Sequence, residues 1–321
     1  MKKWLIFSLQ ALVSVALLTW LFWEQDFRAQ AAQALTSAHG GWLFFGWLAA
    51  GFGNFLGVIR WGIFLRMNNI PIGPWETVRL SFIGLFFNNF LLGAVGGDVV
   101  KIVWLVAKGY PRHNAVLSAI MDRLSGVGAL VVCSATFMLL RIDWLTQSAV
   151  VAHVIHFVFV YLAIIVVLLL VSFLMASRGF VDRLPKWAPA RAQIVDFTAA
   201  YFQFVAAWPR TLVAALISVF MLIAHFITFY CAARAFGVDI PILDFMALMP
   251  AVDIISALPV SLGGFGVRET TLITLLGDLC GVPRASATAV GIGGALLYMA
   301  WGIGGALLLP TYRREARTVT A

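Results

Sequence analysis

Asn88-Asn89-Phe90-Leu91-Leu92-Gly93-Ala94-Val95-Gly96-Gly97-Asp98-Val99-Val100-Lys101 sets a glycine pair, two asparagines, an aspartate and a lysine into an otherwise apolar stretch. A second stretch repeats the arrangement: Ala257-Leu258-Pro259-Val260-Ser261-Leu262-Gly263-Gly264-Phe265-Gly266-Val267-Arg268-Glu269. In both, a cation follows the second glycine by four residues. Glycine pairs interrupt helices, and charge inside hydrocarbon is costly. A chain that combines the two features twice is predicted to build a polar site from broken helices within a bilayer.

The composition agrees with a membrane setting. Of 321 residues, 62% are hydrophobic and 11% are charged, against the roughly 25% charge of a soluble domain. Several apolar runs reach the roughly 20 residues that cross a bilayer. The predicted fold class is an all-α polytopic membrane protein, with its longest extramembrane stretch at about 178–210 and no attached soluble domain. The net charge of +8 does not point to nucleic acid. Its Lys and Arg gather in alternate loops, as cytoplasmic loops require, where they face anionic lipid. Cys133, Cys231 and Cys280 show no metal or disulfide spacing and read as small buried residues. Lys2-Lys3 and the apolar run to Trp23 imitate a signal peptide. The run exceeds an h-region of about 7–15 residues, however, and reads as an uncleaved first helix.

Six spanning helices are predicted, at 4–23, 41–60, 118–140, 155–176, 211–233 and 286–309. Two apolar stretches remain, about 77–107 and 243–278, each with one glycine pair. If both are re-entrant hairpins, fifteen Lys and Arg fall on the cytoplasmic side and only Arg28, Arg141 and Arg284 outside. Letting the first hairpin cross, alone or with the second, moves the basic 178–210 segment outside, against the charge rule. Both termini are then cytoplasmic, and the hairpins enter from opposite sides. The expected organisation is one transmembrane domain, 1–321, built as an inverted repeat (about 41–140 and 211–310). The cytoplasmic linker at 178–210 is amphipathic, with Phe180, Trp187 and Phe202 interrupted by Pro185 and Pro189. Inverted repeats with helices broken near the midplane are an architecture of secondary transporters.

A helix that restarts after a break presents free N–H groups and partial positive charge, which suit phosphate. Asp98 fits an N-cap there, with Lys101 and Arg268 one turn in. Intramembrane charges pair, so Lys101 or Arg123 is expected to meet Asp98 or Asp122. Arg268 is expected to meet Glu269 or Asp253, although adjacent helical residues point apart, which sends Arg268 and Glu269 to different partners. Asn88 and Asn89 suit either freed backbone groups or a lipid head group. Asp122-Arg123 is placed at the opening of the 118–140 helix. Arg60, at the end of 41–60, reads as an interfacial anchor. His225 reads as a satisfied buried histidine ahead of a proton sensor. Close helix packing is the alternative use of the glycines. Gly-x-Ser-x-Gly, HExxH and Walker patterns are all absent from the sequence, so no cofactor, metal or ATP hydrolysis is expected.

At these motifs the chain resembles the lysylphosphatidylglycerol synthase transmembrane-region family, also described as flippase-like. The residues that carry the resemblance are Asn88 or Asn89 through Gly96-Gly97-Asp98, Asp122-Arg123 with Gly126, and Leu258-Pro259 through Gly263-Gly264, Gly266 and Arg268-Glu269. Gly281-Val282-Pro283 also fits. Leu92 stands where the family usually has proline, and Lys101 where it usually has arginine, which removes a bidentate phosphate contact.

The resemblance implies lipid handling. Relatives fuse this membrane region to a soluble aminoacyl-transferase domain; this sequence ends at Ala321 without one, so synthase activity is not expected. The leading expectation is a translocator of the bacterial inner membrane. An anionic phospholipid or lipid-linked substrate is held by Asn88, Asn89, Gly96, Gly97, Asp98, Lys101, Asp122, Arg123, Pro259, Gly263, Gly264, Arg268 and Glu269. Two other classes stay open. One is an intramembrane transferase using Asp98, Asp122 or Glu269 as base. The other is an accessory subunit of a lipid-modifying enzyme in a glycolipid, hopanoid or polyprenyl-phosphate pathway.

Overall fold

The computed structural model describes residues 36, 38–90, 96–177, 198–199, 202–258 and 260–319. The predicted helix at 4–23, Arg28, Leu92, Pro259 and most of the 178–210 linker lie outside the described residues. Among the described residues all regular structure is helical. In chain order these are α1 (Gly40–Met67), α2 (Pro74–Phe90), α3 (Gly96–Ala107), α4 (Arg112–Leu140) and α5 (Ile142–Leu145). They are followed by α6 (Ala149–Ser177), α7 (Trp208–Ala235), α8 (Ile242–Ala257), α9 (Val267–Cys280) and α10 (Arg284–Val319). Five of these, α1, α4, α6, α7 and α10, contain stretches long and apolar enough to cross a membrane. The protein is an all-α polytopic membrane protein.

Two helix boundaries differ from expectation in a way that matters. α1 continues to Met67, so Arg60 sits about two turns inside the helix and is buried; it is not an interfacial anchor. α4 begins at Arg112, so Asp122-Arg123 lies well within the helix rather than at its opening. Hydropathy underestimates both helices because their polar ends are satisfied within the protein. Asn114 Nδ2 donates to the Asn68 carbonyl at 2.9 Å, and Asn68 Nδ2 donates to the Phe64 carbonyl at 2.8 Å.

Each glycine-pair stretch folds as two short helices packed on each other, α2 on α3 and α8 on α9. The four arms are 17, 12, 16 and 14 residues long, each below the roughly 20 that cross a bilayer. The two breaks are not alike. Gly96 and Gly97 are the first residues of α3. Gly263 and Gly264 instead lie in a 3-10 turn at φ 61° and 79°, and α9 starts only after Gly266 at φ 84°. Equal spacing in sequence therefore places Lys101 in the second turn of α3 but Arg268 in the first turn of α9.

The chain divides into two compact units. One holds α8–α9 and comprises residues 1–52, 133–159 and 223–301; the other holds α2–α3 and comprises 53–132, 160–222 and 302–321. In the α2–α3 unit, Trp61, Leu65, Ile70, Leu80, Trp104 and Leu105 form one buried cluster. Phe64, Leu117, Met121 and Ala214 form another, against which Phe204 packs.

Within that unit α2 and α3 meet glycine to glycine. A Cβ on Gly97 would fall on the Gly84 carbonyl, which is backbone and cannot turn aside. Gly97→Ala is expected to force the arms apart and cost about 1–3 kcal/mol, as overpacking does. A lowered thermal midpoint of the purified protein checks this; an unchanged midpoint contradicts the close approach.

Candidate functional site

One group of polar residues in the α2–α3 unit converges on a chamber. α1 contributes Arg60 and Trp61, and α4 contributes Asp122 and Arg123, two successive residues from each helix. The four diverge into two connected sets. Arg60 Nε donates to Asp122 Oδ1 at 2.8 Å, and Arg60 Nη1 donates to Ser218 Oγ of α7 at 3.0 Å. Ser218 Oγ lies 2.7 Å from Ser125 Oγ, one turn along α4 from Asp122. In the second set Arg123 grips Asp98 Oδ2 with Nε at 2.7 Å and Nη2 at 2.6 Å. Lys101 Nζ stands 3.7 Å from Asp98 Oδ1 and 4.7 Å from the centre of the Trp61 ring.

Asn88 explains the start of α3. Its Oδ1 accepts the Gly97 N–H at 2.6 Å, so it satisfies one of the donors that a helix start leaves free. Asp98 is therefore not the N-cap but a first-turn carboxylate, placed where the helix dipole favours it. The Gly97 N–H is thus engaged by Asn88.

Two adjoining cavities, of about 130 and 380 Å³, share Arg60, Asn88, Lys101 and Asp122 among their walls. The larger also reaches Asp98 and Arg123. The smaller also touches Asn54, Ser81 and Met221. The Nδ2 of Asn54 and the Oγ of Ser81 are buried and have no hydrogen-bond partner, as is also true of Asn89 Nδ2. Such groups cost about 1–3 kcal/mol each when left unmatched. The larger cavity carries three cations against two carboxylates, and each carboxylate is held by an arginine at 2.8 Å or less. Lys101, whose side chain is 13% exposed, supplies the surplus positive charge. Lys101, Asn54 and Ser81 thus line one cavity.

The α8–α9 unit uses its expected site residues differently. Arg268 meets neither Glu269 nor Asp253 in an ion pair. Its Nη2 donates to the Gly263 carbonyl at 3.1 Å, and its guanidinium lies 5.7 and 5.8 Å from the rings of Phe229 and Phe265. This ties the 3-10 turn to α9. Gly264 packs closely on Ser256. Glu269 is fully buried; its Oε2 accepts the Gly266 N–H at 2.6 Å and closes the start of α9. Its Oε1 has no hydrogen-bond partner, and Gly291 leaves room beside it. Asp253 pairs with His225 at 3.1 Å. Asp244 is buried and pairs with Arg141. Cys133 and Cys231 are buried as expected, whereas Cys280, the last residue of α9, is exposed. Among the described residues, no group of three or more His, Cys, Asp or Glu is arranged to hold a metal ion.

Of the residues singled out from sequence, Asn88, Gly97, Asp98, Lys101, Asp122 and Arg123 come together within the α2–α3 unit. Gly263, Gly264, Arg268 and Glu269 stabilise the break in the α8–α9 unit. Arg60, Trp61, Asn54, Ser81, Ser125 and Ser218 were not foreseen. Asn54, Gly57, Val58 and Trp61 follow i, i+3, i+4, i+7 spacing, a helix face, and an asparagine on such a face within an apolar run is the signal available in the sequence.

No curated protein matches this chain. The family described as lysylphosphatidylglycerol synthase TM region matches residues 7–307. Nearly the whole length is covered, including both glycine-pair hairpins, and the chain belongs to this family.

Proposed function

We propose that this protein is a lipid translocator that moves an anionic phospholipid or lipid-linked head group between the leaflets of the bacterial inner membrane, with both termini cytoplasmic. The observation that carries the reading is the chamber of the α2–α3 unit. It sets a surplus ammonium group, Lys101, beside unmatched donors on Asn54 and Ser81, all on apolar helices. A head-group phosphate in this cavity pairs with Lys101, with Asn54 and Ser81 in the same walls, while its acyl chains stay among the exposed apolar side chains of the helices. Intramembrane charges of this kind mark substrate pathways by default. The short paired helices support a re-entrant, inverted-repeat arrangement.

Translocation is favoured over group transfer by the state of the carboxylates. Asp98 and Asp122 are each engaged by an arginine, and one oxygen of Glu269 closes a helix start, which leaves the two chamber carboxylates committed to ion pairs rather than to proton abstraction. Native mass spectrometry of the purified protein tests head-group recognition. Retained phosphatidylglycerol or another anionic lipid, reduced in Lys101→Gln, is the expected result. Equal retention of zwitterionic and anionic lipids by both proteins contradicts it.

A further inference from the structure

His225 lies in the middle of α7 and Asp253 near the end of α8. Imidazole Nε2 and Asp253 Oδ1 are 3.1 Å apart, and the two side chains are 25% and 21% exposed. Both side chains are therefore partly buried. Phe226 and Phe229 flank the imidazole on its own helix. Tyr298 of α10 packs edge-on against it at 5.1 Å between ring centres. The titratable groups that face the imidazole are thus Asp253 from α8 and Tyr298 from α10. From α9, the Arg268 guanidinium lies 5.7 Å from the centre of the Phe229 ring. All of these residues belong to the α8–α9 unit.

With a neutral imidazole the pair carries one negative charge; one added proton cancels it. A net charge inside a membrane is costly. The proton-bearing pair therefore suits a conformation closed to water, and the proton-free pair suits one that admits water. Imidazole is the side chain that ordinarily exchanges a proton near neutral pH. An element with these properties links proton content to conformation.

Resting on the translocator reading, we propose that the His225–Asp253 pair is a proton-binding site through which a transmembrane proton gradient drives lipid movement. Hydronium on one side gives its proton to the ring and leaves as water; on the other side the imidazolium returns the proton to water. No oxidant, reductant or nucleotide is involved.

The full chain is reconstituted in liposomes with fluorescent NBD-phosphatidylglycerol, and dithionite quenching is followed with and without an imposed pH difference. The ratio of the two rates is expected to be several-fold in the wild type and to fall to one in both His225→Gln and Asp253→Asn. A ratio in His225→Gln equal to that of the wild type overturns the proposal. Infrared difference spectra of the purified chain between about pH 5 and 8 give a readout that needs no lipid movement. His39, His113, His153 and His156 contribute imidazole bands to both proteins, so the expected result is a band that remains when the His225→Gln difference spectrum is subtracted from that of the wild type, and no remaining band overturns the proposal. Wild-type lipid movement indifferent to the gradient overturns the coupling but leaves the translocator reading standing. A protein that shows the infrared signal yet moves no lipid overturns the translocator reading, and the coupling with it.

Discussion

Arg60→Ala is expected to destabilise the α2–α3 unit by about 3 kcal/mol, at the lower end of what breaking a buried ion pair costs. The substitution leaves Asp122 with no partner at the position where Arg60 Nε now stands at 2.8 Å. It also removes a donor to Ser218. The lower end of the range applies because the Asp122 side chain keeps 18% exposure beside a polar cavity. The loss is read as a lowered thermal midpoint in detergent or nanodiscs. Because the damage is the stranded carboxylate, adding Asp122→Asn to Arg60→Ala should recover part of it. A single Arg60→Ala variant as stable as the wild type contradicts the account of α1 and α4 as a charge-paired couple.

Lys101→Ala separates binding from folding. Its contact with Asp98 is long, at 3.7 Å, and Asp98 keeps Arg123. The remaining stabilisation is the Trp61 ring contact, worth about 1 kcal/mol. The thermal midpoint should therefore change little. Lipid translocation should fall roughly 10- to 100-fold, the equivalent of one charge-assisted hydrogen bond of about 1.5–3 kcal/mol. Lys101→Arg should retain activity, since it keeps the charge and the cation–ring contact. A Lys101→Ala variant that translocates at the wild-type rate removes this residue from the mechanism.

These two residues mark how far the sequence could be read. Lys101 was visible because it follows a glycine pair within an apolar stretch, and local pattern suffices for that. Arg60 was misplaced because its partner lies on another helix, 62 positions away; hydropathy alone ends a helix where a charge appears. The same limit explains Arg268. Charge balance predicts an acidic partner, whereas the left-handed glycines leave the Gly263 carbonyl within reach of the guanidinium. Asn88 shows the reverse. It sits nine residues from the N–H that it accepts, close enough for freed backbone groups to be one of its two expected uses, although the cap itself was expected from Asp98. That each glycine-pair stretch folds as two short helices was legible from its glycines, but the unlike breaks were not. Whether a glycine pair begins a helix or turns before one depends on backbone angles that the residue type permits without choosing.

Head-group-resolved lipid flipping in proteoliposomes tests the central claim most directly. The full chain is reconstituted and transbilayer movement of NBD-labelled phosphatidylglycerol, phosphatidylethanolamine and phosphatidylcholine is compared, with Lys101→Ala alongside. The account predicts movement of the anionic lipid ahead of the other two, lost in the variant. Well-folded protein that moves none of the three, or all of them equally in both proteins, contradicts it.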